Sequence, residues 1–269
     1  MRLKRRIKGE LLRFRRFRDG GTSGRVIGSR DWPTYMMNIR RPFVPLELDD
    51  REVAIVADVL TKLSAAGMLP TVGYDLGRYQ AMRRTVEEMF EIPWTAITPR
   101  MQRLIYAINA IHRPRTMIAA GVFCGNTFIS NAGAAVGPGA VYSANSLIGL
   151  EINEQEAQRA ERNVRAIDPS GVARIIATDA VQYCEQWSDS IDLLYLDADG
   201  DAGRGKSIYL EITRKAWDKI PRGGLLLAHN SVNSIRTIRP YLDFVRDTRN
   251  CRASFNVVID QEGLEVSQR

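Results

Sequence analysis

What this chain can become is limited first by the stretch TMIAAGVFCGNTFIS, Thr116 to Ser130. Met117 to Ala120 is an apolar run of strand length, Gly121 begins a tight turn that ends at Gly125, and Asn126 and Thr127 open a helix. Glycine at both positions permits positive φ and close backbone approach. A helix starting there points free N–H groups at whatever lies above the turn. The order strand, glycine turn, helix predicts a βα unit of a parallel sheet with a cofactor over the turn.

The pattern repeats to the C-terminus. Apolar runs at Leu147 to Glu151, Val172 to Ala177, Ile191 to Leu196 and Leu225 to Ala228 read as strands, each followed by a helical segment; Ala253 to Ile259 and Leu264 to Val266 are two final strands. Asn153 with Glu156 predicts a capping box for the helix ending near Ile167. The alternation predicts an α/β fold, a Rossmann-like doubly wound and mostly parallel seven-stranded sheet. Ahead of it, helices are expected over Asp49 to Ala66 and Leu76 to Phe90, and Thr98-Pro99 is a strong helix start. The chain divides into residues 1–30, a basic leader with a glycine-rich linker (Gly20, Gly21, Ser23, Gly24, Gly28); 31–96, a helical lid or substrate region; and 97–269, the cofactor-binding domain.

The net charge of +7 is unevenly placed. Residues 1–18 hold nine Lys or Arg against the single acid Glu10, a net +8, which leaves about −1 for the remaining 29 basic and 30 acidic residues. Leu3, Ile7, Leu11, Phe14 and Phe17 recur at helical spacing within the leader, a pattern that suits an anionic membrane surface, a partner, or merely a solubilising terminus. The neutral body disfavours nucleic acid as a partner. No apolar run is of membrane-spanning length, and the three cysteines have no metal-ligand spacing, so a cytoplasmic protein, free or peripheral at a membrane, is expected.

In a doubly wound sheet, ligands lie beyond the carboxyl ends of the strands. That rule gathers Gly121 to Thr127, Glu151, Asp179, Asp197 to Asp199, and His229 with Asn230 into one candidate site. The spacing Gly121-x-x-x-Gly125 lacks the third glycine of a dinucleotide fingerprint, and Asn126-Thr127 lacks the lysine of a phosphate loop. A nucleoside without a pyrophosphate fits better. Glu151 is placed to accept from ribose hydroxyls and Asp179 from an exocyclic amine, although either acid could be a simple strand-end or helix-capping carboxylate.

From about Ile97 onward the segments ITPRMQRLIYAI, MIAAGVFCGNTF, IGLEINEQEAQRAERNV, IIATDA, IDLLYLDAD and PRGGLLLAHN, in this order and spacing, resemble the class I S-adenosylmethionine-dependent methyltransferases. The resemblance is to the small-molecule O-methyltransferases of the catechol and caffeoyl-coenzyme A type. It implies S-adenosyl-L-methionine held by Gly121, Phe123, Gly125, Asn126, Thr127, Glu151, Ile152, Asp179, Ala180 and Asp197, and a small-molecule acceptor; the helical region ahead of the fold, with its aromatic arm, suits an aromatic or hydrophobic acceptor or a homodimer interface. It also implies a divalent metal such as Mg²⁺, for which Asp197, His229 and Asn230 are the candidate ligands. Three positions depart from the family's pattern: Ala119 stands where an acid is usual, Gly200 where a lysine is usual, and His229 where an aspartate is usual. His229 is therefore a candidate general base, with Asp197 beside it as the second catalytic residue, a metal ligand, or a structural strand-end residue. Arg204 and Lys206 read as solvated loop charges, or as contacts to an acidic substrate. A non-catalytic S-adenosylmethionine- or nucleoside-binding, membrane-associated scaffold and an RNA methyltransferase are the competing functions.

Overall fold

The computed structural model describes residues 25–201 and 203–269. The amphipathic helix expected within residues 1–18 lies outside them. Strands β1 (Arg25–Gly28), β2 (Thr116–Ala120), β3 (Ser146–Glu151), β4 (Ala173–Ala177), β5 (Leu193–Leu196), β6 (Leu225–His229), β7 (Ala253–Val258) and β8 (Leu264–Gln268) form a single sheet. Its order is β1-β7-β8-β6-β5-β2-β3-β4. Only β8 runs antiparallel to its neighbours, β6 and β7. All seven expected strands are present, and the fold is the expected Rossmann-like one.

The eighth strand, β1, was expected as linker. Arg25 to Gly28 pairs in parallel with Phe255 to Val258. Gly28 belongs there because a Cβ at that position would come within 2.5 Å of the Val258 carbonyl oxygen. A glycine read as a flexible joint is thus a close-approach glycine in an edge strand.

Eight helices flank the sheet: α1 (Asp49–Ala65), α2 (Leu76–Met89), α3 (Pro99–His112), α4 (Asn126–Ala132), α5 (Glu154–Ile167), α6 (Ala180–Gln186), α7 (Ile208–Ala216) and α8 (Ile235–Val245). Strand side chains alternate between two apolar clusters, as the pleat requires. Met117, Ala119, Leu147, Leu193 and Leu225 join one with Val56 of α1, Leu104 of α3, Phe128 of α4 and Val164 of α5. Ile118, Ala120, Ile148, Leu194 and Leu226 join the other with Cys184 of α6, Ile212 of α7 and Leu242 of α8. The result is three layers.

Local signals set the helix starts. Thr98 caps α3, its hydroxyl accepting from the Met101 N–H, with Pro99 at the first helical position. Only half of the expected capping box forms on α5. Asn153 accepts from the Gln155 and Glu156 N–H groups, but its own N–H donates to Glu151 Oε1 at 3.0 Å, and Glu156 turns to Arg159. The strand-end carboxylate has taken the donor that Glu156 would have satisfied.

The N-terminal region is fastened to α3 by buried ion pairs. Arg100, fully buried, donates to Asp31 at 2.9 and 3.0 Å and to Glu47, and its guanidinium lies 3.6 Å from the centre of the Tyr35 ring. Arg103 pairs with Asp49 and Glu52 and lies over Tyr79. Each partner is 50 or more residues away in sequence, and each satisfies a charge that burial would otherwise penalise heavily.

Candidate functional site

Sheet order reverses at β2, whose neighbours β3 and β5 lie on opposite sides. At the carboxyl ends of these strands a cavity of about 700 Å³ opens, a size suited to a cofactor with a small acceptor. Gly121, Phe123, Thr127, Glu151, Ile152, Asp179, Ala180, Asp197, His229 and Asn230 all line it.

The glycine turn is shaped by what it passes. Gly121 has φ +79°, and a Cβ there would sit 2.4 Å from the Ala198 backbone just beyond β5. Gly125, at φ +86°, caps α4 in the left-handed region and packs on Ala160 of α5. Between them Phe123, a residue with a side chain, adopts φ +48°. Its N–H donates to Glu151 Oε2 at 2.8 Å, so the β3 carboxylate and the turn hold one another in place. Gly125 and Asn126 stand behind the cavity wall rather than on it. The Asn126 side chain is buried, accepts from Arg83 and donates to Thr95, which does line the cavity.

Asp179 caps α6 through one oxygen, Oδ1, which accepts from Val181 and Gln182 N–H at 2.7 and 3.0 Å. The capping reading of Asp179 and its reading as a cavity acceptor are therefore compatible, since Oδ2 is not used by the cap. Trp94 packs against Phe123 with the rings tilted and their centroids 4.7 Å apart, and both line the cavity. Tyr35 and Tyr142 do not line the cavity.

At the other end of the cavity, His229 Nδ1 lies 3.3 Å from Asp197 Oδ2. His229 is 2 % exposed, and its Nε2 has no hydrogen-bond partner among the described residues. Burial disfavours the charged imidazole, but Asp197, helped by Asp260 and Glu262, outweighs it and raises the His229 pKa above its ordinary value. Burial likewise opposes ionisation of Asp197, yet Lys206 and His229 hold its carboxyl below the usual carboxylate range.

Lys206 corrects the reading of a solvated loop charge. The loop after β5 folds back on itself, with Gly200 N–H donating to Gly205 C=O at 2.9 Å, and delivers the Lys206 ammonium onto Asp197 and Asp199. Arg204 fits the solvated reading; it pairs with Glu211 at the surface. Sequence reasoning also missed Glu262, which lines the cavity and accepts from Asn230 Nδ2 at 2.7 Å and from Asn233. The signal for Lys206 was present: a loop with glycines at 200, 203 and 205 can turn a lysine back to the position where Gly200 lacks one.

The metal set Asp197, His229 and Asn230 does not assemble. Asp197 Oδ1 faces Lys206, Asp197 Oδ2 faces His229, and the Asn230 side chain is turned to Glu262. Among the described residues no group of three or more His, Cys, Asp or Glu could hold a metal ion.

A family model described as "Methyltransferase domain" matches residues 118–231, a span running from inside β2 past the end of β6 and so containing every strand end of the cavity. Residues 118–231 are thus similar to a methyltransferase domain. Solved structures similar to the chain share its fold. An O-methyltransferase from Bacillus cereus in complex with SAH is 15 % identical, with 78 % of this chain and 97 % of that one covered at a TM-score of 0.51. The SAH-bound methyltransferase PaMTH1 from Podospora anserina is 12 % identical, with 84 % and 99 % covered and a TM-score of 0.52. The O-methyltransferase TomG from Streptomyces achromogenes, in complex with SAM and involved in tomaymycin synthesis, is 16 % identical, with 73 % and 90 % covered and a TM-score of 0.50. No curated protein matches the sequence. The matched region carries the strand-end cavity, with the Asp197–His229 pair at one side. No helix among the described residues is long and apolar enough to cross a membrane.

Proposed function

We propose that the protein transfers the methyl group of S-adenosylmethionine to a hydroxyl of a small aromatic or hydrophobic molecule, with His229 as the general base. The observation that carries this reading is His229 itself, a residue of the cavity lining with Nδ1 held toward Asp197 and Nε2 buried and unpartnered among the described residues. A base needs that arrangement, one nitrogen oriented by a carboxylate and the other free for a proton. A non-catalytic binder has no use for it.

The residues present suit the cofactor. Gly121 and Phe123 of the turn line the cavity, Glu151 and Asp179 offer carboxylates to a nucleoside, and Trp94 and Ile152 offer apolar surface to a base. When bound, S-adenosylmethionine supplies an electrophilic methyl on a sulfonium. Asp197 keeps the imidazole oriented, and its negative charge favours the imidazolium that forms. His229 Nε2 would take the proton that the acceptor hydroxyl gives up on gaining the methyl group, and S-adenosylmethionine would leave as the neutral thioether.

Tritiated-methyl transfer to acceptors in cell extract, with wild type and His229→Ala side by side, tests the assignment. The expected loss is about 10²- to 10⁴-fold with cofactor binding retained. Transfer that persists undiminished in His229→Ala would remove the base from the mechanism.

A further inference from the structure

The most unusual feature of the cavity is a buried cation seated on the carboxylates a metal would need. Lys206 Nζ lies 2.8 Å from the Asp197 carbonyl oxygen, 3.1 Å from Asp197 Oδ1 and 3.2 Å from Asp199 Oδ2. Its side chain is only 7 % exposed, and it is packed 5.5 Å from the centre of the Tyr209 ring. Three donors meet three oxygens, so the ammonium is fully satisfied. A divalent ion such as Mg²⁺ holds its oxygens at about 2.0–2.1 Å in near-octahedral order, and it cannot share Asp197 Oδ1 with an ammonium already there. The second Asp197 oxygen is committed to His229.

We infer that Lys206 is the site's built-in cation: it occupies Asp197 and Asp199 in place of a divalent ion, and the protein works without one. The loop explains how this arises. Gly200 stands where a lysine is usual, and the Gly200–Gly205 bridge brings a lysine from six positions further along to the same acids. Burial opposes the ammonium, but the two aspartates outweigh it and keep Lys206 protonated. Lys206 is thus a positioning residue, fixing one oxygen of Asp197 while the other orients His229. That it serves methyl transfer rests on the function proposed above; that it keeps metal out does not.

Mn²⁺ binding followed by electron paramagnetic resonance on EDTA-treated full-length protein separates the two. Wild type is expected to leave the free Mn²⁺ signal unchanged, with any Kd weaker than about 1 mM. Lys206→Ala is expected to gain a site about 100-fold tighter, because a positive charge beside two carboxylates is gone. Lys206→Met, which keeps the bulk without the charge, should gain a weaker one, and adding Asp197→Asn should abolish both. Circular dichroism and a titration with S-adenosylhomocysteine run in parallel. A tight site in wild type that Asp197→Asn removes would overturn the inference. So would no Mn²⁺ site in either folded Lys206 variant, since the ammonium would then not be what excludes the ion. Failure of wild type to bind S-adenosylhomocysteine would overturn the proposed function instead, and the Mn²⁺ result would still decide the role of Lys206.

Discussion

Asp197 divides its two oxygens between a lysine and a histidine, and the pH dependence of the protein should follow from that division. His229 is raised above its ordinary value of 6.5, so transfer catalysed by its neutral form should increase with pH along a limb centred above 6.5. Asp197→Asn removes the carboxylate that opposes burial, so the limb should move to lower pH while the maximal rate falls; a limb that stays put would mean that another group titrates. Linkage gives the matching sign for stability. A raised histidine pKa stabilises the fold below about 6.5, and that contribution fades as pH climbs through the raised value. Glu151, Asp179, Asp197 and His229 were legible because each falls at the end of an apolar run, where the rule for doubly wound sheets places ligands. Lys206 was not, because its role depends on a loop closing on itself. Glu262 was not either, since it reaches the site from the turn between β7 and β8, and no strand-end rule covers that turn.

The βα unit that includes β2 and α4 is the element whose geometry the site depends on, and Gly121 is its tightest point. Alanine there must accept a positive φ and a Cβ 2.4 Å from the Ala198 backbone. Gly121→Ala should cost about 1–3 kcal/mol and displace the turn from Glu151, lowering both the melting temperature and the cofactor affinity. Unchanged thermal unfolding would show that the turn is looser than its contacts indicate. This element was readable from sequence almost residue by residue, because strand, glycine and cap signals are local. Strand β1 was not, since four residues flanked by glycine carry little signal and its partner Phe255 to Val258 lies more than 200 residues away. The same holds for Arg100 and Arg103, which look like helix-surface charges until acids from the N-terminal segment cover them.

Across the whole molecule, the N-terminal segment is held to the sheet domain by those buried pairs rather than by apolar contact alone. Hydrogen bonds from Arg100 hold the Asp31 carboxyl well below the usual carboxylate range despite its partial burial. A depressed carboxyl stabilises the fold above its unfolded pKa of about 3.9, and the contribution is lost as pH falls below that value. Asp31→Asn should therefore cost about 1.5–3 kcal/mol near neutrality, and its urea midpoint should fall less steeply than that of wild type between about pH 5 and pH 3. Parallel slopes would place the acid sensitivity elsewhere. Because β1 runs parallel to β7, and so to β2 and β6, Arg25 lies at the end of the sheet remote from the cavity. Everything on the functional side of this account depends on the strand-end cavity being a methyl-donor site built around Glu151. Calorimetric titration of S-adenosylhomocysteine into wild type and Glu151→Ala decides it: wild type should bind one equivalent with a Kd in the range of about 1–100 µM, and the variant at least about tenfold more weakly. No binding to wild type, or equal affinity in the two proteins, would contradict it.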